Sequence, residues 1–453
     1  MARKSKFMAQ SNYSDSCTKV FSYWRFRTMY SIIIGYASFY LIRQNFSLAI
    51  PAICSDLNYM KSDIGIVISL GAILYGIGKC FFGVIGDRYS ARYIMAIGLF
   101  LSAIMNLCLG FSSVIPSFMI FWALNNCFQS MGWPPCAKLL THWFSPVEIG
   151  ARWALWNTSQ QIGCGTIALL APFLLVHFGW RYIFFVPGIM AILLSVFLFN
   201  RLRDTPESLK LPSVEKMTGL ASAAESTKKW DDSNEPKLTY LETLKMALSN
   251  KLVWYVGFAN FFVYICRMTF FYWGPTFLLE SKGSSLTGAG LQMAMFDVAG
   301  MFGGMCAGYV SDKIFKGRRG PVATINMILL SCVVCGLWFA PRNSDMIHAL
   351  CMIIIGFLVT GPQILVGVAA ADFASKKAAA TASGFTGTLG YAGTALSGVG
   401  IGFIADHYGW NSVFMATVFA GICSAIFFAM TWNERSKVLS DAEDKKNTDN
   451  NEI

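Results

Sequence analysis

Twelve apolar runs follow one another along the chain, centred near Tyr40, Leu74, Leu101, Leu124, Gly163 and Ile189, then Phe262, Met301, Leu330, Gly356, Tyr391 and Val418. Each is long enough for a helix of about 20 residues, the length that crosses the hydrocarbon core of a bilayer. Polar residues collect between the runs. The longest polar stretch, Arg201–Lys251, holds nine Lys and Arg with several acids and divides the runs into six and six. The pattern therefore predicts an all-α membrane protein with twelve transmembrane helices in two six-helix halves, residues 1–200 and 252–432. A cytoplasmic linker is expected over 201–251 and a disordered, polar cytoplasmic tail over 433–453.

The halves repeat. Tyr40-Leu41-Ile42-Arg43, with Pro51 eight residues on, matches Tyr264-Ile265-Cys266-Arg267, with Pro275 eight residues on. Gly83-Val84-Ile85-Gly86-Asp87-Arg88 matches Gly308-Tyr309-Val310-Ser311-Asp312-Lys313, and His177-Phe178-Gly179-Trp180 matches His407-Tyr408-Gly409-Trp410. Three matches in one order at nearly one offset imply a parallel duplication, the layout of major facilitator transporters, whose sites lie between the halves near the midplane. The pairs Asp87–Arg88 and Asp312–Lys313 stand in turns. They read as a charged latch and topology determinant rather than ligand sites.

Composition agrees with the pattern. Hydrophobic residues make up 55% and charged residues 13% of 453, with mean hydropathy +0.50, which no soluble domain of this size shows. The net charge of +11 invites a nucleic-acid reading, but its distribution opposes one. Lys61, Arg181, Lys282 and Arg342 fall in one set of loops and Arg43, Lys79 and Arg267 within runs. All other Lys and Arg fall in the alternate set, with both termini. The positive-inside rule then puts both termini in the cytoplasm. The thirteen cysteines show no metal or disulfide framework, and no short apolar segment with a cleavage site follows the basic N-terminus. No cofactor and no metal are expected.

The chemistry centres on Arg43 and Arg267. An arginine inside a membrane span costs roughly 2.5–3.5 kcal/mol on insertion scales, so it faces a polar cavity rather than lipid. Each guanidinium offers a planar fork for bidentate contact with phosphate, and a phosphate monoester carries about −1.5 to −2 charges at neutral pH. One fork from each half forms a cage for such an anion. The bland alternative is that both arginines are structural and pair with acids, of which Asp297 is the clearest candidate.

A resemblance narrows the reading. Gly132-Trp133-Pro134-Pro135 with Lys138 and His142-Trp143-Phe144, then Trp156-Asn157, and Gly361-Pro362-Gln363 followed by Ala371-Asp372 and Lys376-Lys377-Ala378, resemble the motifs of the organophosphate:phosphate antiporters. The likeness covers nearly the whole chain and is greatest to bacterial hexose-phosphate transporters. It implies that Arg43 and Arg267 bind phosphate, that Lys79 is the second-run lysine, and that Tyr36, Tyr40, Tyr75, Tyr264 and Tyr391 line the cavity. Asp297 occupies the place of an acid in the eighth run. Two positions depart from the family: Gln160 stands where glycerol-phosphate carriers have histidine, and Ser383 and Thr386 stand where hexose-phosphate carriers have an Asp–Lys pair. The latter two are expected to govern choice of the organic moiety.

The resemblance implies a monomeric antiporter of the bacterial inner membrane that takes up sugar phosphate, glucose 6-phosphate above all, in exchange for inorganic phosphate. Its partners are these two solutes and the lipid bilayer, not nucleic acid. A transporter-like membrane sensor for glucose 6-phosphate, or a carrier of another organophosphate such as glycerol 3-phosphate, would use the same site. An enzyme is not expected, because no general base accompanies the arginines.

Overall fold

The computed structural model describes residues 15–145, 148–217, 245–246, 248–374 and 379–434. The helices are α1 (Asp15–Leu57), α2 (Lys61–Arg88), α3 (Ala91–Phe111), α4 (Ile115–Gln129), α5 (Trp133–Trp143), α6 (Ile149–Phe178) and α7 (Tyr182–Arg201). The second half comprises α8 (Lys251–Glu280), α9 (Leu286–Lys313), α10 (Arg319–Phe339), α11 (Asp345–Phe373) and α12 (Ala379–Ala429). Nine helical segments among the described residues are long and apolar enough to cross a membrane. Most of the linker expected over 201–251, and nearly all of the tail expected after 433, lie outside the described residues.

Three elements differ from the apolar pattern, each for a local reason. The first helix starts at Asp15, well before the apolar run. Its polar beginning still has an apolar stripe, with Phe21 buried against Trp143, Val214 and Met217. The fourth run is broken at 130–132 into α4 and α5. Pro134 and Pro135 lack N–H groups and their rings clash with a continuing turn, so a new helix starts with proline in its first positions. The last two runs form α12, bent at Gly409, whose φ of 74° and ψ of 175° interrupt the helical dihedrals.

Gly179 in the first half has the same conformation, φ 88° and ψ 171°. The duplicated His-x-Gly-Trp motif thus encodes a turn that needs glycine. Alanine at either position is expected to cost about 1–3 kcal/mol, the penalty of this nearly glycine-only region. A lowered melting temperature of Gly179→Ala or Gly409→Ala in detergent tests this, and an unchanged one contradicts it. The tryptophan that follows completes the motif. Trp180 Nε1 donates to Asp56 Oδ2 at 2.9 Å and Trp410 Nε1 donates to Glu280 Oε2 at 3.0 Å. Asp56 and Glu280 end the first helices of their halves and are 224 residues apart, as are Arg43 and Arg267.

The halves meet through three helix pairs, α1–α8, α2–α12 and α6–α9. The last two are images of one another under the duplication. The bundle has two ends, one carrying residues 15 and 434, where the described residues begin and end, and the other carrying the turns at 58–60, 112–114, 179–181, 281–285 and 340–344. The seam is tightest at the turn end. Asp406 accepts from the backbone N–H groups of Lys61 (3.2 Å) and Ser62 (2.6 Å), so the second half caps a helix of the first with a carboxylate. Lys61 Nζ bridges Glu280 (3.0 Å) and Asp406 (3.8 Å). Ser69 Oγ donates to the Ala395 carbonyl and accepts from Val399 N–H, and Gly65 lies directly on Gly398. Toward the termini end the cross-seam contacts thin to Tyr391 against Tyr75 and Lys79.

Candidate anion site between the two halves

Arg43 sits in a stretch of α1, Leu41–Ile50, in which every residue is buried. Only 5% of Arg43 is exposed, and its guanidinium lies 4.3 Å from the ring centre of Tyr75 and 5.8 Å from that of Tyr40. Aromatic faces hold a desolvated cation with about 0.5–2 kcal/mol each, while leaving its hydrogen-bonding edge free. Its Nε has no partner among the described residues. Arg267, from α8, is 3% exposed; one Nη donates to Thr360 Oγ1 at 2.9 Å, and its Nε is unpaired. Thr360 spends its own proton on the Gly356 carbonyl, so its lone pair faces the guanidinium.

The acid that would neutralise these cations in a purely structural role does not close on either. Asp297, on α9, is buried within electrostatic reach of Arg267, but it forms no ion pair among the described residues and its Oδ2 has no partner. Cys164 on α6 is buried within electrostatic reach of Arg43, Arg267 and Asp297. The three charged groups therefore gather near Cys164, Arg43 from the first half and Arg267 and Asp297 from the second. Gln160 lies one helical turn before Cys164, on the same face of α6.

Aromatic residues complete a circuit around this region. Tyr40 stands 5.3 Å from Tyr36, which stands 4.7 Å from Trp156; Trp156, Trp153 and Trp133 follow at 5.6 and 6.0 Å. The Lys79 ammonium lies 5.2 Å from Trp133 and 5.6 Å from Tyr391. Tyr391 lies tilted at 5.0 Å from Tyr75, which returns to Arg43, and also meets Tyr264 at 5.9 Å. Gln363 donates to the Tyr264 hydroxyl at 3.3 Å. Such a wall gives an anion two forks and a mobile ammonium, and gives an attached organic group flat apolar faces with hydroxyl rims.

The other sequence candidates make no hydrogen bond to Arg43 or Arg267 among the described residues. Thr386 is fully buried against α8, where its carbonyl accepts from Asn260 Nδ2 at 2.8 Å and its hydroxyl donates to the Ser383 carbonyl. Ser383 is half-buried with its Oγ toward Gly367 of α11. Asp312 is paired at the termini end, but with Arg319 rather than the exposed Lys313, and Arg319 also reaches Asp372 at 3.4 Å. The side chains of Asp87 and Arg88 lie outside those described.

Three buried residues beside the two arginines, Thr360, Tyr272 and Cys164, carry no usable sequence signal. Thr360 is one threonine in an apolar helix, where most threonines bond only to their own backbone. Tyr272 stands in Phe270-Phe271-Tyr272-Trp273, a string that reads as packing, and Cys164 is one cysteine among thirteen.

Comparison with known proteins agrees with this architecture. The sequence profile of the Major Facilitator Superfamily matches residues 32–398. A probable hexose phosphate transport protein of Chlamydia trachomatis is 41% identical over 428 residues, covering 93% of this chain and 94% of that one. The glycerol-3-phosphate transporter of Bacillus subtilis is 37% identical (90% and 92% covered), and the membrane sensor protein UhpC of Escherichia coli is 38% identical (90% and 92%). Among solved structures, a bacterial homologue of the human lysosomal transporter Spinster, inward-facing and unoccupied, superimposes with a TM-score of 0.73 at 13% identity, covering 90% of this chain and 97% of that one.

Proposed function

The chain belongs to the Major Facilitator Superfamily, and from that premise we propose that it is a secondary antiporter importing a sugar phosphate, glucose 6-phosphate, in exchange for inorganic phosphate. The observation that carries this reading is the pair of buried arginines, one from each half, neither in an ion pair with a carboxylate among the described residues. An anion with about two charges supplies what the protein withholds. The two relatives named for hexose phosphate and glycerol 3-phosphate support a phosphate monoester as that anion.

The mechanism follows from differential binding. Two or three cations held in a desolvated site repel one another, so the empty site resists full closure. A bound phosphate balances them and lets the halves rock about the seam, exposing the site to alternate ends. Inorganic phosphate and a sugar phosphate share the head group, so each supports the crossing and the net result is exchange. No chemistry is done on the substrate. Both forks come from one chain, so a monomer suffices. The distribution of basic residues supports a reading in which the end opposite the Lys61–Asp406 seam faces the cytoplasm of an inner-membrane protein.

A sensor that binds without transporting is the second reading, supported by the identity to UhpC. Phosphate self-exchange separates the two. Proteoliposomes loaded with labelled phosphate are expected to release it only when phosphate or a phosphate monoester is outside. Retention of the label under all external solutes contradicts the antiporter reading.

A further inference from the structure

On α1 and α8, four buried polar atoms have no hydrogen-bond partner among the described residues: Nε of Arg43 and Oε1 of Gln44 on α1, and the hydroxyls of Tyr272 and Thr276 on α8. The helices are held together here by Gln44 Nε2, which donates to the Phe271 carbonyl at 3.3 Å. That bond puts the neighbours Arg43 and Tyr272 side by side across the seam, and the Tyr272 phenol lies within electrostatic reach of Arg43. Tyr272 is fully buried, and Thr276 follows it by one turn on the same helix face. Each buried hydroxyl without a partner costs about 1–3 kcal/mol. A group of such atoms around a cation marks a place where something polar binds.

We propose that Tyr272 is a phosphate ligand that acts only when the turn end is closed, its hydroxyl donating to an oxygen of the head group held by Arg43 from the opposite half. The proposal rests on the phosphate-exchange reading and adds the residue that ties binding to conformation. Arg43 belongs to the first half and Tyr272 to the second. When the halves part at the turn end, α1 and α8 separate and the phenol leaves the anion. Its hydrogen bond therefore adds affinity to one state only, which is the condition for a ligand to shift an equilibrium. A phenol is suited to this role because it donates to phosphate without adding a charge that would repel Arg43 in the empty state.

The test compares the full-length protein with Tyr272→Phe, using inorganic phosphate as the probe. Removing an unpaired buried hydroxyl should leave the melting temperature of the phosphate-free protein unchanged or raised. The phosphate-induced rise in melting temperature should shrink. The half-saturating phosphate concentration for exchange should rise about tenfold, the loss of one charge-assisted hydrogen bond. A lower phosphate-free melting temperature with an intact phosphate-induced rise would mean that the hydroxyl is structural, and wild-type affinity in the variant would mean that it binds water only; either overturns the proposal. If the wild-type protein shows neither exchange nor a phosphate-induced rise, the antiporter reading itself fails, a result distinct from failure of the Tyr272 assignment alone.

Discussion

Arg43→Lys and Arg267→Lys are each expected to lower phosphate exchange by roughly a hundredfold while the protein still inserts and folds. Lysine preserves the charge and much of the length, so desolvation of the site changes little. What it loses is the planar fork. A bidentate contact becomes a single one, and each charge-assisted bond is worth about 1.5–3 kcal/mol. Arg43 should suffer through geometry as well, because its guanidinium lies over the Tyr75 ring and an ammonium packs there less well. The measurement is labelled phosphate exchange in proteoliposomes at matched protein content. Near wild-type exchange by either inserted variant would mean that the forks do not hold the anion.

The second large effect is expected at Gly65. A Cβ placed there would meet the Gly398 carbonyl oxygen at 2.5 Å and Val399 Cα at 3.0 Å, all backbone, so no side chain can swing away. Overpacking of this kind costs about 1–3 kcal/mol, and a bulkier residue more. Only the state closed at the turn end bears that cost. Gly65→Val should therefore shift the two-state balance by about tenfold or more and slow exchange accordingly, with phosphate binding retained in the other state. Gly165→Ala is the control, because nothing lies within 4 Å of the added carbon. The ion pairs of Lys61 at the same seam should matter less, since partly exposed pairs are worth about 0–1 kcal/mol. Unimpaired exchange in Gly65→Val would mean that the turn end opens and closes along some other line.

The fold is legible in the sequence because membrane spans are written in one dimension: twelve apolar runs, a charged linker and repeated motifs need no tertiary information. The break in the fourth run is implicit in Pro134-Pro135. The polar start of α1 is not legible, since its burial depends on Trp143 and on residues near 214–217. Arg43 and Arg267 stand out because a cation in an apolar run demands an explanation. Tyr272 and Thr360 do not, since an aromatic or a threonine in such a run is ordinary until its partner is known. The motif His-x-Gly-Trp reads as a turn, while its bond to Asp56 or Glu280 joins residues more than a hundred positions apart. Thr386 shows the converse. Its place in a family pattern is what points to selectivity, while its own geometry shows only a buried residue whose carbonyl accepts from Asn260 and whose hydroxyl donates to the Ser383 carbonyl.

On the proposed mechanism, one head-group site, balanced by Arg43, Arg267 and Lys79, serves both inorganic phosphate and a sugar phosphate in turn. Counterflow tests it most directly. Proteoliposomes containing the wild-type protein are given labelled glucose 6-phosphate outside, with or without phosphate inside, and with or without an uncoupler. Uptake is expected to require internal phosphate and to survive the uncoupler, because Gln160 cannot titrate and the phosphate gradient supplies the drive. Full uptake without internal phosphate, abolished by the uncoupler, would establish proton symport, with Asp297 as the nearest buried acid, and would contradict antiport.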